Sequence, residues 1–218
     1  MRSVLLATLT LLLAAPAAHA ATTTVTLKGP RAQTIFGHAT KLSGTVLTDR
    51  APAANVPVQL EGRRYPFEGD WAVVDTATTA ADGTYAFSRK LDRNWQFRAT
   101  AAGMTSSRER VYVAPFTKFT IQPRSAKLVR FTQRYRVPKG VRLKQPTIFY
   151  VGPRKSKSIP RVASAKLERV RAGRYTSTAL IHLKPEWKGF FRYASCFRYT
   201  GGSGMGNPRA SCPRRFKF

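Results

Sequence analysis

Few residues in this chain have the types and spacing that chemistry at a fixed site requires. Beyond residue 20 there are two histidines, His38 and His182. Neither stands in a recognisable Ser or Asp motif, so a hydrolytic triad has no support in the sequence. Glu61, Glu68, Asp70 and Asp75 would be the raw material for an acid–base pair of the glycosidase kind. They sit near turn residues and read as solvated. The run Gly201-Gly202-Ser203-Gly204-Met205-Gly206 invites comparison with a phosphate loop, but that motif needs a following helix, usually with lysine and serine. Here Asn207-Pro208-Arg209 follows, and a hairpin tip is expected, whose backbone amides could still accept an anion. Cys196 and Cys212 are the only cysteines, with fifteen residues between them. Two cysteines alone do not make a metal site. They fit a disulfide in an oxidising compartment, and closing a loop of that size stabilises by roughly 3 kcal/mol in the chain-entropy model. The expectation is a chain with no catalytic residues, no metal and no cofactor.

What remains is charge. The formal net charge is +28, and it is unevenly placed. Ala21 to Pro115 carries 12 Lys and Arg against 8 Asp and Glu, whereas Phe116 to Phe218 carries 25 against 2. Only Glu168 and Glu186 oppose the cations of the second half.

The chain opens with Arg2, an apolar run from Val4 to Pro16, and the small-residue site Ala18-His19-Ala20. That pattern is a secretory leader, with cleavage expected after Ala20. Arg2 stands alone, so a twin-arginine signal is not indicated. No later apolar stretch approaches the length of a spanning helix. A secreted or cell-surface location is therefore expected.

The elements that must position these residues are strands. Val56, Val58 and Leu60 alternate with polar neighbours, as do Tyr85 and Phe87, Trp95 and Phe97, and Val111 and Val113. A period of two sends alternate side chains to one face of a pleated strand. Gly29-Pro30, Asp49 to Pro52, Gly69-Asp70 and Asp82-Gly83 punctuate the runs, and Asp-Gly between two strand patterns predicts a hairpin. Roughly seven short strands at this spacing predict an antiparallel sandwich over residues 21–115. Composition shifts after Pro115, and a second sandwich is expected over 116–218. There Val129, Phe131, Tyr135 and Val137 share one face, with Gln133 as the exception, and Ile148 to Val151 is apolar on both faces, as a central strand would be. The segments from Gly189 to Phe218 predict a closing hairpin pinned by the disulfide. The fold class expected is all-β, two tandem antiparallel immunoglobulin-like sandwiches after a leader, residues 1–20.

Gly44-Thr45-Val46, Val56-Pro57-Val58-Gln59-Leu60, Thr78 to Phe87 with its Asp82-Gly83-Thr84-Tyr85, and Trp95-Gln96-Phe97-Arg98-Ala99 resemble bacterial secreted immunoglobulin-like or prealbumin-like modules. These include the regulatory-type domains appended to carboxypeptidases and the B-type repeats of adhesins. The resemblance covers most of 21–115 and implies a spacer or binding module without catalysis. It marks a fold that hosts many roles. Some adhesin repeats carry a Lys–Asn crosslink. Lys41, Asn55 and Asn94 match it by residue type only.

Opposite the apolar face of the second half lie Arg130, Arg134 and Arg136, then Arg192 and Arg198, with Arg154, Lys155 and Lys157 in a turn. If their strands are neighbours, like charges stand side by side, an unfavourable arrangement that a polyanion would relieve. The ligand expected is an anionic cell-wall polymer, acidic glycan or lipid headgroup. Nucleic acid is disfavoured, because strand alternation sends arginines and aromatics to opposite faces. The alternative is a structural or protein-binding surface module whose charge is incidental.

Overall fold

The structure, a computed structural model, describes residues 21–185, 191–199 and 201–217. The expected leader, Glu186, Gly189 and Phe218 lie outside these. The described residues contain no α-helix and many short strands.

The first half holds β1 (Thr23–Val25), β2 (Thr34–Ile35), β3 (Ala39–Thr48), β4 (Ala51–Pro52), β5 (Pro57–Arg64), β6 (Ala72–Thr78), β7 (Thr84–Lys90), β8 (Trp95–Ala101), β9 (Met104–Thr105), β10 (Glu109–Val111) and β11 (Val113–Ala114). One sheet joins β1, β3 and β4, with β7 also on β3. The facing sheet runs β10-β8-β5-β6, with β9 on β8, and β11 pairs with β2 in parallel. Alternation explains the core. Leu42 and Val46 of β3 and Val58 and Leu60 of β5 are fully buried, as are Phe97 and Ala99 of β8. Lys41 and Gln59, of the opposite parity, are exposed.

The second half holds β12 (Phe116–Ser125), β13 (Leu128–Arg136), β14 (Thr147–Pro153), β15 (Ser158–Ala165), β16 (Glu168–Arg171), β17 (Arg174–His182), β18 (Phe191–Phe197) and β19 (Arg215–Lys217). One sheet has the order β12-β13-β17-β16 and the other β18-β14-β15-β19. They meet face to face through aromatic rings. Phe119 stacks on Tyr193 at 5.0 Å, and Phe131 lies 6.1 Å from both Phe149 and Phe191. β14 is central, as its two apolar faces require. Gln133, the polar exception on the inner face of β13, is 3% exposed and accepts a hydrogen bond from Ser195 Oγ at 2.8 Å. A buried amide so satisfied costs the fold little.

Three sequence expectations are corrected. Asp82-Gly83 does not close a hairpin. β6 pairs with β5 and β7 with β3, so this turn carries the chain from one sheet to the other. Gly83 has φ +72°, and a Cβ there would stand 2.6 Å from Val46 O. The turn still demands glycine, but local chemistry does not say which sheet receives the next strand. The segments 191–197 and 215–217 form no hairpin either. β18 and β19 are opposite edges of one sheet, held apart by β14 and β15. The disulfide is present, Cys196 to Cys212 with Cα atoms 5.7 Å apart, and it ties edge strand β18 to the loop before β19.

The glycine-rich run is the third. Instead of a free tip, it docks on the first half. Asn94 Nδ2 donates to Gly206 O at 2.9 Å, and Asn94 Oδ1 accepts from Val113 N at 2.8 Å. The backbone N of Asn94 donates to Gly204 O at 2.8 Å, and Gly206 N donates to Val113 O at the same distance. Met205 between them is 1% exposed. Gly206 has φ +63°, and a Cβ there would lie 2.2 Å from the Tyr199 ring, so only glycine permits the close approach.

Among the described residues every ladder joins strands on the same side of Pro115. Packing crosses it. A single buried cluster contains Leu42, Val58, Phe97 and Val113 together with Tyr135, Val137, Leu143, Tyr175 and Met205. A second, smaller cluster, Val129, Phe131, Phe149, Val151 and Ile181, belongs to the second half alone.

Candidate anion-binding face

Because Val129, Phe131, Gln133 and Tyr135 point inward, Arg130, Thr132, Arg134 and Arg136 stand on the outer face of β13. Register fills in their neighbours. Lys118 of β12 is opposite Arg134, and Phe116 is opposite Arg136. On the other side Arg136 faces Arg174 of β17, and Arg174 in turn faces Arg171 of β16. Three arginines thus stand in one row across three strands. Lys118 and Arg134 begin the next row, which runs through Thr176 and ends at Glu168. Glu168 is opposite Thr176 and is the nearest acid on this face.

These rows line a groove of about 460 Å³, with Phe116, Val170 and Tyr175 contributing apolar surface. The Arg136 guanidinium lies over the Phe116 ring at 4.8 Å. The same ring stacks with the exposed His38 at 6.1 Å. Val170 and Leu180 are 66% and 54% exposed. Like charges at directly paired positions repel, and the screening length at physiological salt, about 8 Å, exceeds the spacing of paired strands. The arrangement therefore holds a standing electrostatic cost that an anion in the groove would lower.

The other expected contacts lie elsewhere. β13 and β18 are in different, facing sheets, so Arg192 and Arg198 do not extend the row of Arg130, Arg134 and Arg136. The condition that these strands be neighbours is not met. Arg192 projects from the outer face of β18, where its Nη1 donates to Ser156 O at 3.3 Å. That contact places it beside Arg154, Lys155 and Lys157 in the β14–β15 turn. Arg198 follows β18 at its opposite end and is exposed. The eight cations singled out in the sequence thus occupy three places. Lys118, Arg171 and Arg174 were missed. Their strand parity was legible, but joining them to Arg134 and Arg136 takes the order of four strands.

Among the described residues acids and histidines form no group of three or more. Glu61 accepts from Arg98 Nε at 2.7 Å and from Thr100 Oγ1 at 3.0 Å. The bond from Arg98 is the main reason that its carboxyl is held below the ordinary value. Asp75 pairs with Arg89 at 3.3 Å. Glu61 and Asp75 are therefore ion-paired, where the sequence suggested solvation. His182 is on the outer face of β17, exposed and opposite Leu128. Among the described residues no three His, Cys, Asp or Glu side chains come together as metal ligands, and no helix is long and apolar enough to cross a membrane. Of the residues matched to the crosslink by type, Asn94 is committed to the Val113 and Gly206 backbone, Asn55 lies in a turn at φ 57°, and Lys41 is exposed.

Comparison with known proteins adds little at the level of residues. No family model and no curated protein matches the chain. Among solved structures it is similar to trypsin-activated alpha-2-macroglobulin from Escherichia coli, at 15% identity over 83% of this chain and 15% of that one, with a TM-score of 0.34. Two Salmonella alpha-2-macroglobulin structures, a point variant and a form reacted with methylamine, show 16% and 17% identity over 79% of this chain, also at a TM-score of 0.34. The chain spans about 15% of the length of these proteins, and likeness at these values transfers no role to any residue.

Proposed function

We propose that the protein is a secreted, non-catalytic module of the cell surface that holds an anionic envelope polymer, an acidic glycan or anionic lipid headgroups on its basic second half. The first half, in this reading, is an immunoglobulin-like spacer. The observation that supports it is the row Arg136, Arg174 and Arg171 with Lys118 and Arg134 beside it, set around an open groove with a single acid nearby. A cationic groove of this kind concentrates polyanions by long-range attraction and by release of their counterions. The exposed Val170 and Leu180 on the same face favour a second reading, a protein-binding surface.

Salt separates the two. The full chain is applied to an immobilised anionic polymer over a series of salt concentrations. Replacing Arg134, Arg136 and Arg174 together by Gln is expected to lower the slope of log K against log salt by about two to three. A slope unchanged from that of the parent chain would reject the groove. Retention that ignores salt but falls in a Val170→Ser and Leu180→Ser variant would favour the protein-binding surface.

A further inference from the structure

A second cationic concavity lies where residues 138–144 cross the end of the second-half sandwich. Val141 and Leu143 are buried, and Tyr175 Oη donates to Val141 O at 2.9 Å. Alternation then turns Gly140, Arg142 and Lys144 the other way. They face Tyr65 and Arg93 of the first half and the backbone of Gly202 and Ser203, across a cleft of about 530 Å³. Lys139 completes the lining. Among the described residues that line it, four are cations and none is a carboxylate. Among the described residues the one acid bonded to any of the four is Asp92, 3.2 Å from Arg93 Nε. Among the described residues the cleft shares none of its lining with the groove on the sheet face.

We propose that this cleft is a separate site for a compact, multiply charged oxyanion group of the phosphate class, free or at the end of a polymer. Lys139, Arg142 and Lys144 gather around one concave space with Arg93, whose charge Asp92 partly offsets, and charges so placed focus potential more than the same charges spread over a sheet. Arginine forks suit tetrahedral oxyanions, and lysines add point charges that follow them. The volume is that of a small-molecule site, about 300–1,000 Å³. The walls come from both halves of the chain, so an occupant bridges them and stabilises their contact by mass action.

Calorimetric titration of the full chain with tripolyphosphate at low salt tests this. The parent chain is expected to bind, and Arg142→Gln with Lys144→Gln to weaken the Kd by at least about tenfold. Gly202→Glu gives a second probe, because a Cβ at Gly202 meets nothing within 4 Å. It places a carboxylate in the cleft without crowding the fold, and the same loss is expected. Arg134→Gln with Arg174→Gln, which empties the sheet groove, is expected to leave the Kd within about twofold. Long-chain polyphosphate matched in concentration of chain ends identifies the source. An equal Kd points to a polymer terminus, and a weaker one to a free compact ligand. Absence of binding by the parent chain overturns the proposal. So does undiminished binding by both cleft variants, or equal loss in the groove variant. None of these outcomes alters the polymer-retention result for the sheet face.

Discussion

The two halves treat the same residue types in opposite ways. Before Pro115 four arginines, Arg64, Arg89, Arg93 and Arg98, are paired with acids. Arg98 is 2.7 Å from Glu61, Arg93 is 3.2 Å from Asp92, and Arg89 is 3.3 Å from Asp75. Arg63 and Arg98 also flank the Trp71 ring at 4.7 and 4.6 Å. The ion pairs formed between described residues all lie in this half. After Pro115, Lys118, Arg134, Arg136, Arg171 and Arg174 share one face with Glu168 as the lone acid. Guanidinium groups on β-strands are therefore not one kind of object. In the first half Arg98 and Arg89 fasten strands to one another through Glu61 and Asp75, and in the second the arginines of the sheet face present charge outward. Yet the halves are not separate bodies, because Met205 and Asn94 join their interiors.

The largest expected effect falls on that junction. Met205→Ala should destabilise the whole chain by about 2–5 kcal/mol, as measured by denaturant unfolding. A loss under about 1 kcal/mol would show that the halves close independently. Cys212→Ser, read the same way, should cost about 3 kcal/mol by freeing the loop between residues 196 and 212. No change would mean that the contacts of β19 already fix that loop.

Alkaline pH sharpens the comparison of the two interiors. Burial pushes the Tyr85 phenol of the first half and the Tyr199 phenol at the junction up to about 12. A phenol raised in the folded state favours its neutral form there. Its contribution to stability is full below about pH 10 and is lost as pH rises towards 12. Thermal melts across that window should fall, and Tyr199→Phe should flatten the fall. A parallel curve would exclude Tyr199 as a source. The smallest effect is at acid pH. Glu61 is lowered by its bond from Arg98, so its contribution is present above the ordinary carboxylate value, near pH 4.5, and is lost as pH drops through the lowered one. Glu61→Gln should cost about 1–2 kcal/mol at neutral pH and leave polymer retention unchanged. A shift in retention would break the division between fastening and presented charge.

Much of this was legible in residue order. Period-two alternation placed Val58, Leu60, Phe97, Phe131 and Tyr135 inside and Arg134 and Arg136 outside, because in a strand parity alone decides the face. The central position of β14 followed from Ile148 to Val151, and the disulfide from there being two cysteines. Strand order was not legible. Nothing local distinguishes a turn that closes a ladder from one that crosses between sheets, and so Asp82-Gly83 and the 189–218 segment were both read as hairpins. The same ignorance put Arg192 beside Arg134 and hid Arg174. The docking of Met205 was beyond reach, since its partner Asn94 is remote in sequence.

That remoteness has a consequence for assembly. Asn94 and Gly206 are 112 positions apart, and the side-chain amide and the Val113 backbone that they satisfy are buried. A ribosome finishes the first sandwich long before it makes the loop that completes it. Until that loop docks, the first half carries an open hydrogen-bonding seam beside exposed apolar side chains, and so long-range a closure should be a slow step of folding.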